Sequence, residues 1–103
     1  MKLKNKVAII TGGGSGIGRA VAIRYAQEGA RCIVADIDGK NAESTTLEIR
    51  NQEGEALSIQ MDVSQQKEIQ KTLDLCINYF SKVDILFNNA AIFEMAPLLD
   101  SSR

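Results

Sequence analysis

The sequence predicts an α/β fold, the first half of a doubly wound parallel sheet ordered βαβαβαβ, with strands in the order 3-2-1-4. Three observations carry this prediction. Short apolar segments alternate with stretches of helical periodicity. The stretches between them are long enough for the right-handed helical crossovers that parallel pairing requires. A turn packed with glycine joins the first apolar segment to the first helical one.

The first strand is expected over residues 6–11, where Val7-Ala8-Ile9-Ile10 is continuous, rich in β-branched residues and closed by glycines. A helix should begin near Ser15-Gly16 and run to Glu28. Val21 and Tyr25 lie one turn apart on one face, beside the small contact residues Gly18 and Ala22, and Gly29 stands at the C-terminal cap position. Cys32-Ile33-Val34-Ala35 reads as a second buried strand closed by Asp36. A weaker helix spans about residues 41–52, with Ala42, Thr46 and Ile49 inward and Gly54 as its stop. Ala56 to Met61 alternates Leu57, Ile59 and Met61 against Ser58 and Gln60, the pattern of a strand with one polar face or an edge strand. Ser64 is placed to cap a third helix carrying Ile69, Leu73, Cys76 and Phe80 on one stripe. Ile85-Leu86-Phe87 then reads as a fourth strand, buried on both faces.

The 103 residues suffice for one small domain and are too few for two. Twelve basic and thirteen acidic residues leave a net charge of -1, which argues against a nucleic-acid or membrane-surface partner. Histidine is absent, which removes Ser-His-Asp and Cys-His nucleophilic systems and every His-liganded metal site. The two cysteines, Cys32 and Cys76, fall in apolar patterns outside any Cys-x-x-Cys pair, so buried free thiols in a reducing compartment are expected. No apolar run reaches the roughly 18 residues of a membrane span, and the apolar stretch after Lys6 is too short for a signal peptide. A soluble cytoplasmic protein is the expectation.

Thr11-Gly12-Gly13-Gly14-Ser15-Gly16-Ile17-Gly18 links the first strand to the first helix. Glycine there permits a tight turn, close backbone approach to a phosphate, and close helix–strand packing. The helix N-terminus behind it offers unpaired N–H groups and a partial positive charge to a pyrophosphate. This makes the arrangement Rossmann-type, with a ligand crevice where the strand order reverses between strands 1 and 4. A strict G-x-G-x-x-G is absent. The frame from Gly13 to Gly18 has the spacing of a P-loop, but Arg19-Ala20 follows where Lys and Ser/Thr are needed, which removes the magnesium ligand of an NTPase. Asp36 stands eighteen residues after Gly18. A carboxylate there accepts hydrogen bonds from the adenosine ribose hydroxyls and repels a 2′-phosphate, while its neighbours Ala35 and Ile37 and the turn residue Ser15 offer no cation. NAD rather than NADP is the expected cofactor, with Ile37 beside Asp36 among its contacts. The bland alternative for Asp36 is a solvated turn carboxylate with Asp38-Gly39.

Three motifs in order now resemble the short-chain dehydrogenase/reductase family: Thr11-Gly-x-x-x-Gly-x-Gly18, Asp62-Val63 after the third strand, and Asn88-Asn89-Ala90-Ala91 after the fourth. The resemblance covers essentially the whole chain. It departs at Ala91, where the family usually carries glycine. It implies that Gly12, Gly16 and Gly18 shape the dinucleotide turn, with Ser15 and Ile17 presenting backbone near the phosphates. It further implies that Asp62 accepts from the adenine amino group with Val63 beside the ring, and that Asn88 and Asn89 line the cofactor ribose. From the residues alone, Asp62 is equally part of a cap before Ser64, and an Asn pair is ordinary turn chemistry. Residues 85–98 resemble the polyol (sorbitol-type) dehydrogenases, which implies a sugar alcohol or related secondary alcohol as substrate and a homo-oligomeric parent protein.

The family moves a hydride between nicotinamide and a carbinol or carbonyl carbon, using a serine and a Tyr-x-x-x-Lys. Here Gly29 stands four residues after Tyr25 and Val83 four after Tyr79, so no catalytic residue is assigned. The fourth strand has an interior composition but an edge position in this chain. Residues 1–103 are therefore expected to be the N-terminal dinucleotide-binding part of a single, larger Rossmann domain, inactive and aggregation-prone alone. The competing expectation is a stand-alone nucleotide-binding or interaction module that pairs through the fourth strand and performs no chemistry.

Overall fold

β1 (Val7–Thr11) lies at the centre of a four-stranded sheet and is buried along its whole length. The computed structural model describes residues 2–89. The remaining elements follow as α1 (Gly16–Gln27), β2 (Arg31–Asp36), α2 (Gly39–Asn51), β3 (Glu55–Gln60), α3 (Gln66–Phe80) and β4 (Ile85–Asn88). The sheet order is β3-β2-β1-β4 and all three pairings are parallel. The predicted order 3-2-1-4 is observed. Register sets Thr11 opposite Ala35 on one side and Asn88 on the other, and Asp36 opposite Gln60. The chain therefore leaves all four strands at one edge of the sheet, where the loops of interest gather.

The two-residue period of a strand explains the two-layered core. Ala8 and Ile10 of β1, with Cys32 and Val34 of β2, face α1 and α2 through Ala22, Ala42 and Ile49. Val7, Ile9 and Ile33 face the other way, against Cys76 and the half-buried Leu73 and Phe80 of α3. Leu57 and Ile59 of β3 join that second face, as their alternation predicts, while Ser58 and Gln60 are exposed. Among the described residues β3 is an edge strand.

Helix ends follow local chemistry. α1 closes in a Schellman motif: Ala30 N–H donates to Tyr25 O, Gly29 N–H donates to Ala26 O, and Gly29 sits at φ +99°. α2 closes the same way, with Gly54 N–H on Ile49 O and Glu53 N–H on Arg50 O. Here the left-handed position, φ +68°, is held by Glu53 and not by the expected Gly54. Gly54 is needed for room, because a Cβ on it would lie 2.8 Å from Ile49 Cγ2. α2 starts two residues earlier than expected because Asp38 caps it, accepting from Lys40 and Asn41 N–H.

Two further expectations are corrected. Ser64 does not cap α3: its N–H and hydroxyl both donate to Asp62 Oδ1, and the helix begins at Gln66 behind Gln65, which makes no side-chain cap. β4 is half-buried throughout rather than buried on both faces, since among the described residues only β1 pairs with it. Its N-terminal end is clamped by Asp84, which accepts Val7 N–H at 2.8 Å through Oδ2 and donates its own N–H to Val7 O at 2.8 Å. Both cysteines are buried and free, and burial pushes the Cys32 thiol up to about 12 and the Cys76 thiol up to about 11.

Candidate functional site

The glycine turn leaves β1 at the sheet's C-terminal edge and enters α1 with Ser15 as the extended N-cap residue. Ser15 makes no capping side-chain bond, and no acidic residue lies in the first turn of α1. The earliest helical bond runs from Arg19 N–H to Ser15 O, so the N–H groups of Gly16, Ile17 and Gly18 point out of the helix at its positive end. Two glycines have distinct steric reasons. Gly16 sits at φ +55°, and among the described residues nothing lies within 4 Å of where a Cβ would stand. Gly18 has the opposite constraint: a Cβ there would lie 2.0 Å from Gly12 O, so helix and turn touch only because it has no side chain. These features fit a phosphate-bearing ligand.

Asp36, at the end of β2, reaches this turn. Its Oδ2 accepts Gly14 N–H at 2.8 Å, and its Oδ1 accepts Asp38 N–H at 2.9 Å. The turn-carboxylate reading and the ligand reading are thus compatible, because each oxygen keeps a second lone-pair direction. Ile17 and Ile37 are 70% and 64% exposed, large apolar side chains left in water on the glycine turn and beside Asp36.

Asp62 follows β3 and is joined to Asp36 through the backbone, since Met61 N–H donates to Asp36 O at 2.9 Å. The Asp62 carboxyl is held below the usual carboxylate range, first by the Ser64 hydroxyl and then by the Ser64 N–H. Val63 is half-buried and packs against the cluster of Ala35, Met61 and Ile69. Asn88 and Asn89 meet β1 through one hydroxyl: Thr11 Oγ1 donates to Asn88 Oδ1 at 2.8 Å and accepts Asn89 N–H at 3.1 Å. Thr11 is fully buried, and it ties the turn-bearing strand to the Asn pair across the switch point.

The predicted residues thus gather at one edge of the sheet, with Gly12 to Gly18, Asp36 and Ile37 in one linked unit and Asn88 and Asn89 in a second, joined through Thr11. Asp62 adjoins the first unit through its neighbour Met61, whose N–H donates to Asp36 O. Sequence reasoning missed three contributors. In the sequence Thr11 marks only the start of the glycine motif. Gly14 donates to Asp36, and a Cβ on it would lie 2.8 Å from Asp36 Oδ2 and 2.5 Å from Asn41 Cβ. Glu68 accepts Asp62 N–H at 2.9 Å. The run of three glycines was a signal for Gly14; nothing local signals Glu68. An open trough of about 680 Å³ runs from Ile37 of the first unit past Asp38, Gly39 and Lys40 to Ser58, Ile59 and Gln60. Ala91 and the rest of the polyol-like segment through Leu98, beyond Asn89, lie outside the described residues.

Among the described residues no cluster suits a metal ion, and no helix is long and apolar enough to cross a membrane. Neither tyrosine belongs to this edge: Tyr25 is half-buried against the α1 core, and Tyr79 is exposed on α3.

The chain is similar to the sorbitol dehydrogenase of Cereibacter sphaeroides, 41% identical over 103 residues that make up all of this chain and 39% of the relative. It is 42% identical over 98 residues to the galactitol 2-dehydrogenase of Agrobacterium fabrum, covering 95% of this chain and 37% of that one. A solved 7α-hydroxysteroid dehydrogenase, in complex with NADH and 7-oxo glycochenodeoxycholic acid, superposes with a TM-score of 0.81 at 39% identity, over 82% of this chain and 33% of that one. The chain spans about two-fifths of the length of these curated relatives. The family profile described as short chain dehydrogenase matches residues 6–103. The match runs over nearly the whole chain, and the chain belongs to the short-chain dehydrogenases.

Proposed function

We propose that residues 1–103 form the NAD-binding part of an oxidoreductase that transfers a hydride between NAD and an alcohol or carbonyl substrate. The observation that carries this reading is the Asp36 carboxylate seated on the glycine turn, 2.8 Å from Gly14 N–H. An acidic group fixed there selects paired ribose hydroxyls and opposes a 2′-phosphate. The NADH in the similar hydroxysteroid dehydrogenase supports the same choice.

In this reading the outward N–H groups of Gly16, Ile17 and Gly18 take the pyrophosphate, with Gly12 and Ser15 shaping the approach. Asp36 takes the adenosine ribose and Ile37 flanks it. Asp62 accepts from the adenine amino group with Val63 alongside, and Asn88 and Asn89 line the other ribose. The nicotinamide, when bound, gives or accepts the hydride. Acid–base work needs a tyrosine with a lysine four residues on, and neither Tyr25 nor Tyr79 has one. The span 1–103 by itself is therefore inactive. A secondary alcohol of the polyol class is the proposed substrate, in keeping with the sorbitol and galactitol relatives. The whole protein is taken as a cytoplasmic homo-oligomer without nucleic-acid or membrane partners.

The test is NADH formation at 340 nm from NAD and a panel of sugar alcohols and hydroxysteroids, with the full-length protein and with residues 1–103 alone. Turnover of a polyol by the full-length protein and none by the span is expected. Turnover by the span alone, or by the full-length protein with NADP only, contradicts the proposal.

A further inference from the structure

We propose that Glu68 is a positioning residue for adenine recognition: by holding the Asp62 backbone it leaves one carboxylate oxygen, Asp62 Oδ2, as a fixed acceptor. The inference rests on the NAD reading above and concerns a residue that the family motif does not include.

Every other polar atom of Asp62 is committed locally. Its N–H donates to Glu68 Oε1 at 2.9 Å, and its carbonyl accepts Gln65 N–H at 3.0 Å. Its Oδ1 accepts Ser64 N–H at 2.9 Å and the Ser64 hydroxyl at 2.7 Å. Among the described residues nothing bonds to Oδ2. Glu68 is itself well seated. It is half-buried in the first turn of α3, its carbonyl accepts the Thr72 hydroxyl at 3.0 Å, and the adjacent Ile69 is buried against Ala35 and Met61. An acid at this third helical position ordinarily turns back to the N-cap N–H. Here it passes beyond Gln65 to a residue six positions upstream, so its bond fixes the loop rather than the helix end.

The electrostatic result is specific. A loop presenting Asp62 Oδ2, with the Glu68 carboxylate close behind, favours a donor and opposes an acceptor. Adenine offers a donor at its 6-position; hypoxanthine offers a carbonyl acceptor there. Glu68 therefore acts on base selectivity through Asp62 without touching the base.

The experiment titrates full-length protein with NADH and with reduced nicotinamide hypoxanthine dinucleotide, following nicotinamide fluorescence. The wild-type protein is expected to prefer NADH about tenfold, the worth of one charge-assisted hydrogen bond. In Glu68→Ala the preference falls below about threefold, with the loss confined to NADH. Glu68→Asp keeps the charge in the first helical turn but lacks the reach, so it behaves like Glu68→Ala while sparing the fold. Glu68→Gln keeps an accepting oxygen and restores the preference. Equal weakening of both dinucleotides, or an undiminished preference in Glu68→Asp, overturns the proposal. Equal wild-type affinity for the two overturns it together with the Asp62 assignment, and leaves NAD binding intact. Failure of the wild-type protein to bind either overturns the NAD reading itself.

Discussion

The Asp36 carboxylate and the Gly14 N–H are joined at 2.8 Å, so the acidic strand end and the glycine turn form one structural unit. A side chain at residue 14 would occupy the space that brings them together. Asp36→Ala therefore removes the proposed ribose acceptor and loosens the turn at once. It is expected to weaken NADH binding about tenfold or more and to narrow the gap between NADH and NADPH, as measured by fluorescence titration.

Gly18 and Gly16 separate two uses of glycine. A Cβ on Gly18 would lie 2.0 Å from Gly12 O, so Gly18→Ala must push the helix away from the turn, at a cost of about 3 kcal/mol, and abolish dinucleotide binding. Among the described residues Gly16→Ala meets no atom within 4 Å, but it must hold φ near +55°, costing about 1 kcal/mol. Thermal melts of both variants are expected to rank Gly18→Ala as far the more damaging.

Thr46 is buried on the inner face of α2 with its hydroxyl bonded to nothing among the described residues. Replacing it with valine keeps the shape and removes an unsatisfied polar atom, so Thr46→Val is expected to stabilise the fold by about 1 kcal/mol. A denaturant titration checks this. Destabilisation would mean that the hydroxyl has a partner in solution.

Acid weakens the joint between β1 and β4. Asp84 is held below the usual carboxylate range, first by Val7 N–H and next by its bond to Lys82. A carboxyl depressed on folding stabilises the native state above its unfolded value, near 3.8, and that contribution is lost as pH falls through the lower folded value. Melting temperature should drop as pH falls below about 4, and Asp84→Asn should shrink that drop while lowering stability at neutral pH. Asp62 and Glu28 are depressed as well, so some acid sensitivity remains in the variant.

What was legible in the sequence was the chemistry of near neighbours. The strand order, the glycine turn and Asp36 follow from runs of residues whose meaning is local, and Gly29 ends α1 as its φ of +99° requires. What escaped depends on distant partners or on competition for one group. The Thr11 hydroxyl meets Asn88 and Asn89 only after the sheet has formed. Ser64 looked like a helix cap until Asp62 took both its donors. Glu53 holds a left-handed position where glycine was expected one residue later, because the C-terminal motif of α2 fixes which residue turns. Glu68 satisfies a backbone group outside its own helix, which no periodicity announces.

The unit formed by the glycine turn and Asp36 is proposed to bind NAD in preference to NADP. The most direct measurement is a paired titration of the full-length protein with NADH and NADPH, at low and at moderate salt. NADH is predicted to bind at least tenfold more tightly, with the gap narrowing as salt screens the repulsion between Asp36 and the 2′-phosphate. Tighter binding of NADPH, or binding of neither, would contradict the account.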